Sequence, residues 1–298
     1  MAKVRVMTIG PKARTAKAPR VKVLAAALML SAMPMQAWAD AAQTFYERSF
    51  VLAANQRCGL FTAPVRSALT AAQRQARGAA LRAGTAATAL NQTETRARAR
   101  AGAVACDNPE LRVVKGRVES AFAGWVRMPR MTFPGLRASW EANRVVYRSP
   151  NWRLMQASRT GASPVTFGYA SSLAGESLTA VVSFHGRPRP YAVRIVMRDP
   201  SKSPRPWLGA PGQLPPAALQ QAIWSSGVAQ ADAGLLSPGK TEGQAWRFPA
   251  SATAALDRLD PREPFAVEFV FRDDSVARAV FEVGDFSAGR AFLELGAL

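Results

Sequence analysis

The chain is 298 residues long and carries 39 Lys and Arg against 20 Asp and Glu, a formal net charge of +19. Its one histidine excludes a poly-His metal centre and an H-E-x-x-H hydrolase. The length suits one large domain or two small ones at ~150 residues per domain, and no segment after the N-terminal stretch approaches the ~20 apolar residues of a membrane span.

The first 39 residues form a pattern of their own. Met1–Lys22 holds seven basic and no acidic residues, an apolar run occupies Val23–Ala32, and Pro34 precedes the small-residue site Ala37-Trp38-Ala39. Charged, apolar and small segments in that order predict a secretory signal peptide over residues 1–39. Cleavage before Asp40 would leave a periplasmic or secreted protein. There is no Arg-Arg pair for twin-arginine export and no cysteine at the cleavage point for lipid attachment.

From Asp40 to about Arg130 the apolar period is helical. Phe45, Tyr46 and Phe50 lie on a first helix that Gly59 ends. Thr62 and Pro64 open a second, with Val65, Leu69, Ala72, Ala76 and Ala80 on one stripe, ending near Gly84. A third carries Leu90, Ala97, Ala101 and Val104. Asn108 caps a fourth, Pro109 suits its first turn, and Leu111, Val114, Val118, Phe122 and Trp125 recur at helical spacing. Cys58 and Cys106 are the only cysteines, and in an exported chain an even pair predicts a disulfide. That bond would tie the end of the first helix to the end of the third, compensating for stripes made mostly of Ala.

After Met131 the period changes to two. Trp152–Ala157 and Val165–Ala170 read as short strands. Leu178–His185 and Tyr191–Arg198, separated by a Gly- and Pro-rich turn, read as a hairpin. Phe265–Arg272 and Val276–Val283 read as a second hairpin around Asp273-Asp274, and helices are expected at Ala252–Leu259 and Asp285–Leu293. Between these parts lies a Pro- and Gly-rich insertion at about 199–242, with a short helix expected over Pro215–Trp224 and loop over Ser225–Glu242. The predicted class is α+β: signal peptide 1–39, a disulfide-clasped helical domain 40–130, and an antiparallel β-sandwich-like domain 131–298.

Charge is distributed unevenly. Asp40–Pro150 has 17 Arg and Lys against 7 Asp and Glu, whereas Asn151–Leu298 has 15 against 13. The helical half should therefore prefer anionic surfaces in a salt-dependent way. DNA is not a normal occupant of an exported compartment, so the expected partners are an envelope protein, anionic polysaccharide or lipid headgroups, with no nucleic acid. The alternative is that Arg solvates Ala-rich helices. The candidate anionic-surface contacts are Arg66, Arg74, Arg77, Arg82, Arg96, Arg98 and Arg100.

Catalytic motifs are matched only superficially. Gly234–Thr241 satisfies G-x-x-x-x-G-K-T, but a poor strand precedes it and a strand-like segment follows it where a helix is needed. Ser237-Pro-Gly-Lys240 matches S-x-x-K, yet Pro-Gly inside the motif forbids the helical turn that brings Lys onto Ser. Ser183 and His185 share a strand face, at a spacing of about 7 Å, beyond hydrogen-bond reach. No catalytic residue, cofactor or metal site is predicted. The leading expectation is a non-enzymatic envelope protein, the alternative a cell-envelope hydrolase or hydrolase inhibitor.

Two stretches carry resemblances. Ala54–Phe61, Gln75–Gly84 and Phe122–Trp125 resemble exported alphaproteobacterial proteins of unknown function. Phe248–Leu256, the hairpin after it, and Phe281–Leu293 are similar to the end of the invasion-associated locus B family, although the family's cysteines are missing. That resemblance covers about the last 50 residues and implies a small periplasmic β-sandwich without established catalysis.

Overall fold

The computed structural model describes residues 33–147, 150–172, 175–184 and 188–298; for 33–40 and 172 only the backbone is described. The basic and apolar segments of the expected signal peptide and His185 lie outside the described residues.

Four helices come first: α1 (Met33–Cys58), α2 (Ala63–Arg82), α3 (Ala87–Ala103) and α4 (Pro109–Arg127). Their ends follow local chemistry. Gly59 takes φ of 61° and its amide donates to the Asn55 carbonyl at 2.8 Å, closing α1 in a conformation that costs a glycine little. The Asn108 side chain accepts the Glu110 amide at 2.8 Å and so caps α4. The disulfide Cys58–Cys106 is present, with Cα atoms 5.5 Å apart, and fastens the end of α1 to the segment after α3. Small residues let α2 pack closely. A Cβ on Gly78 would lie 2.0 Å from the Asp285 carboxylate, so no larger residue fits there.

The rest of the chain is two antiparallel sheets and two short helices, which makes the fold α+β. The strands are β1 (Arg130–Pro134), β2 (Ser139–Asn143), β3 (Trp152–Thr160), β4 (Ser163–Ser172), β5 (Gly175–Val182) and β6 (Ala192–Arg198). They continue with β7 (Gln220–Trp224), β8 (Gly227–Gln230), β9 (Gln244–Arg247), β10 (Pro264–Val270) and β11 (Val276–Glu282). Helix α5 spans Ala250–Asp257 and α6 spans Phe286–Leu293. Seven strands pair in the order β1-β2-β3-β4-β5-β9-β8, and four in the order β11-β10-β6-β7. The sheets do not close into a barrel.

Phe167 of β4 sits at the centre of the core, with ring centroids 5.2 Å from Phe265, 5.5 Å from Phe281, 6.0 Å from Phe248 and 6.3 Å from Trp140. The same apolar cluster continues through Phe286 and Phe292 of α6 to Leu69 and Ala72 of α2. Where β3 passes β11 the sheets are joined by side chains in place of a ladder. Gln156 donates to the Glu282 carbonyl at 3.1 Å and accepts its amide at 2.8 Å, while Ser158 donates to the Val280 carbonyl at 2.6 Å. These bonds satisfy edge groups of β11 that would otherwise be left without partners.

Arg144, 2 % exposed, performs a similar task for two helices. Its guanidinium donates to the Val126 and Met128 carbonyls at the end of α4, and to the Leu295 and Gly296 carbonyls after α6. A cation suits two helix C-termini whose last carbonyls lack intrahelical donors. Burial lowers its pKa, and nearby Arg153 adds to the effect.

Three expectations are corrected. The segments 178–185 and 191–198 do not form a hairpin: β5 pairs with β4 and β9, and β6 with β10 and β7. Both strands are buried on both faces over much of their length, so each becomes an interior strand of its own sheet. Val196 shows why, because the Pro-rich segment covers the outer face of β6 through Leu214. The helix expected over Pro215–Trp224 is a single 3₁₀ turn at Ala217–Leu219 followed by β7, and the loop expected over Ser225–Glu242 contains β8. Strands β1 and β2 are too short, at five residues each, for alternation to reveal them.

Candidate functional site

Helix α1 packs against both α2 and α3. Between the two flanking helices runs a groove of about 640 Å³, floored by Ser49, Leu52 and Gln56 of α1. Arg66, Thr70, Gln73 and Arg74 of α2 form one wall, and Glu94 and Arg98 of α3 the other. The α2 residues recur at i, i+4 and i+7/i+8, so they share a stripe that flanks the apolar one. Arg77 donates to the Asn91 side chain at 3.2 Å and links the walls near the turn that joins α2 to α3. At the other end Arg57 donates to the Gly102 carbonyl at 2.6 Å and also to Val104, beside the disulfide. The α3 wall is therefore tied to α2 at one end and to α1 at the other.

Three of the seven candidate arginines line this groove. Arg66 is exposed, and its guanidinium makes no hydrogen bond or ion pair among the described residues. Arg74 donates through one nitrogen to the Ser287 carbonyl at 2.8 Å, which leaves its other donors available. Arg98 pairs with Glu94 one turn earlier, a solvent-exposed contact worth only a few tenths of a kcal/mol. Arg96 and Arg100 are exposed on α3 outside the groove, and Arg77 is the end link already described. Arg82 is placed differently. Its guanidinium, 12 % exposed, pairs bidentately with Asp285 at 2.7 and 2.9 Å and joins α2 to the start of α6. Burial pushes the Asp285 carboxyl up to about 6, against the lowering influence of Arg82.

Asn55 is the groove residue that charge counting misses. It is 6 % exposed, and its Oδ1 accepts the Phe61 amide at 2.8 Å. Its side-chain NH₂ has no partner among the described residues. Gln56 beside it is exposed with both polar ends unengaged among the described residues. Thus the groove offers cationic and neutral donors together.

The other motifs are occupied by structural tasks. Strand β8 leads towards Gly234, but a 3₁₀ turn and a reverse turn follow; the Lys240 amide donates to the Ser237 carbonyl at 3.0 Å, and no helix starts there. The same turn removes the S-x-x-K geometry. The Ser183 hydroxyl donates to the Glu242 carbonyl at 2.7 Å. Among the described residues no group of three or more His, Cys, Asp or Glu converges as metal ligands. A second cleft of about 470 Å³ lies at the β3–β11 seam. Its buried polar groups are internally engaged: the Glu282 carboxylate accepts the amides of Leu136, Arg137 and Ala138, and Arg262 pairs with Asp260. No helix among the described residues is long and apolar enough to cross a membrane. No family model, curated protein or solved structure matches the chain.

Proposed function

We propose that the chain is an exported, non-enzymatic envelope protein that docks an anionic partner in the groove between α2 and α3. The observation that carries this reading is the gathering of Arg66, Arg74 and Arg98 with the unpartnered donors of Asn55 and Gln56 in one cleft. The N-terminal signal pattern and the Cys58–Cys106 bond favour an oxidising, exported address. The likeness of the C-terminal segment to the invasion-associated locus B family, and a sandwich-like stacking of the two sheets, belong to the same reading.

The test uses protein purified from its own exported fraction and the anionic components of that envelope. Binding should weaken steadily as salt rises, because an exposed arginine is screened beyond ~8 Å at physiological ionic strength. Changing Arg66 and Arg98 together to Gln should weaken it further, whereas changing Arg159 and Arg272, exposed in the C-terminal half, should matter less. Binding that ignores salt, or that responds equally to both pairs, rejects the groove as the docking site.

A further inference from the structure

We infer that the groove takes an acidic polysaccharide, a chain of uronate-type sugars, an assignment that rests on the docking reading and names its ligand class. The first reason is the mixture of donors. Arg66 and Arg98 suit carboxylates, while Asn55, Gln56 and Gln73 present amide groups between them. The NH₂ of Asn55 makes no hydrogen bond among the described residues and lines the groove, so a ligand oxygen reaching the floor can accept from it. Sugar hydroxyls interleaved with carboxylates meet both kinds of donor at once.

The second reason is Glu94. A carboxylate in the wall repels a densely charged polyanion, but it accepts hydrogen bonds from hydroxyls of a ligand whose negative charges are spaced apart. The third is what the groove lacks. The exposed large apolar side chains, such as Met128, Leu136, Tyr191, Leu208 and Trp224, all lie elsewhere. Lipid surfaces are bound through inserted apolar side chains and protein interfaces through aromatic anchors, whereas the apolar lining of the groove, Leu52, Ala53 and Phe61, is buried or half-buried and projects no exposed anchor. Its volume of about 640 Å³ is far more than a small inorganic ion fills.

The experiment is calorimetric titration of the protein from its exported fraction with four probes. These are an oligogalacturonate of defined length, the same oligomer with its carboxyls reduced to alcohols, polyglutamate of matched charge, and phosphatidylglycerol vesicles. The oligogalacturonate should bind at least about tenfold more tightly than each of the others, given that a tenfold difference is only 1.4 kcal/mol. Arg66→Gln with Arg98→Gln should weaken it about tenfold or more. Gln56→Ala, at an exposed position, should weaken it several-fold. If polyglutamate or vesicles bind as tightly as the sugar and still depend on Arg66 and Arg98, the docking reading stands and the polysaccharide assignment is overturned. The assignment also falls if Gln56→Ala leaves sugar binding unchanged. If no probe binds in an arginine-dependent way, both fall.

Discussion

Opening the Cys58–Cys106 bond should cost the protein much of its stability and loosen one wall of the groove. The cysteines are 48 residues apart, and closing a loop of that length removes roughly 4 kcal/mol of chain entropy from the unfolded state. The structure also says where the loss appears first. Helix α3 buries only Leu90, Ala97 and Ala101, and two of those side chains are single methyl groups. At about 0.8 kcal/mol per buried CH₂ and no more than ~3 for the leucine, its own packing holds it with a few kcal/mol at most. Arg57 remains as a link at the same end, but it is exposed and so contributes little by itself. Urea unfolding followed by circular dichroism should therefore show Cys58→Ser and Cys106→Ser each losing roughly 4 kcal/mol, with the double variant losing little more. Amide exchange should speed up in α3 before α2. Groove binding should weaken in the same variants, since α3 carries Arg98. A loss below ~1 kcal/mol, or a double variant whose loss is the sum of the two singles, would refute the reasoning.

Three further outcomes are expected. N-terminal sequencing of protein from the exported fraction should begin at Asp40; retention of Met1 would remove the exported address. Arg144→Met should destabilise the fold by roughly 3 kcal/mol or more, because four helix-end carbonyls lose a charged donor; Arg144→Lys should restore only part, since an ammonium cannot span both ends, and an unchanged unfolding midpoint in Arg144→Met would disprove the capping role. Asp285 titrates near 6 when folded and near 3.8 when unfolded, so between those values the native state holds the extra proton and raising the pH favours unfolding. Stability should fall by about 3 kcal/mol across that window and level off above it. Asp285→Asn should flatten this limb, and a wild-type profile that already lacks it would rule the buried carboxyl out.

Much of the helical half was legible because its signals are local. Gly59, Asn108 and Pro109 mark helix ends through backbone geometry and one side chain each, and the 3.6-residue period names the stripes. The polar stripe Arg66, Thr70, Gln73, Arg74 was equally present in the residue order. What it could not reveal is that Glu94 and Arg98, on another helix, stand opposite that stripe. Asn55 was invisible as a groove donor for a related reason: its role follows from which of its two polar ends the Phe61 amide already occupies. Arg82 shows the reverse, an arginine counted with the surface cations that is paired with a carboxylate 203 residues away.

By itself, then, the sequence determined the four N-terminal helices, the C-terminal hairpin, the cysteine pair and the lopsided charge, all of which depend on neighbours a few residues apart or on composition. Tertiary structure alone decided that β5 and β6 belong to different sheets, that β11 meets β3 through Gln156 and Ser158, and that Arg144 joins two helix ends. Alternation states that a strand has two faces without stating what covers each of them. Pairing is settled by burial on both faces at once, and a side chain's partner by which elements the whole core brings within about 3 Å of it.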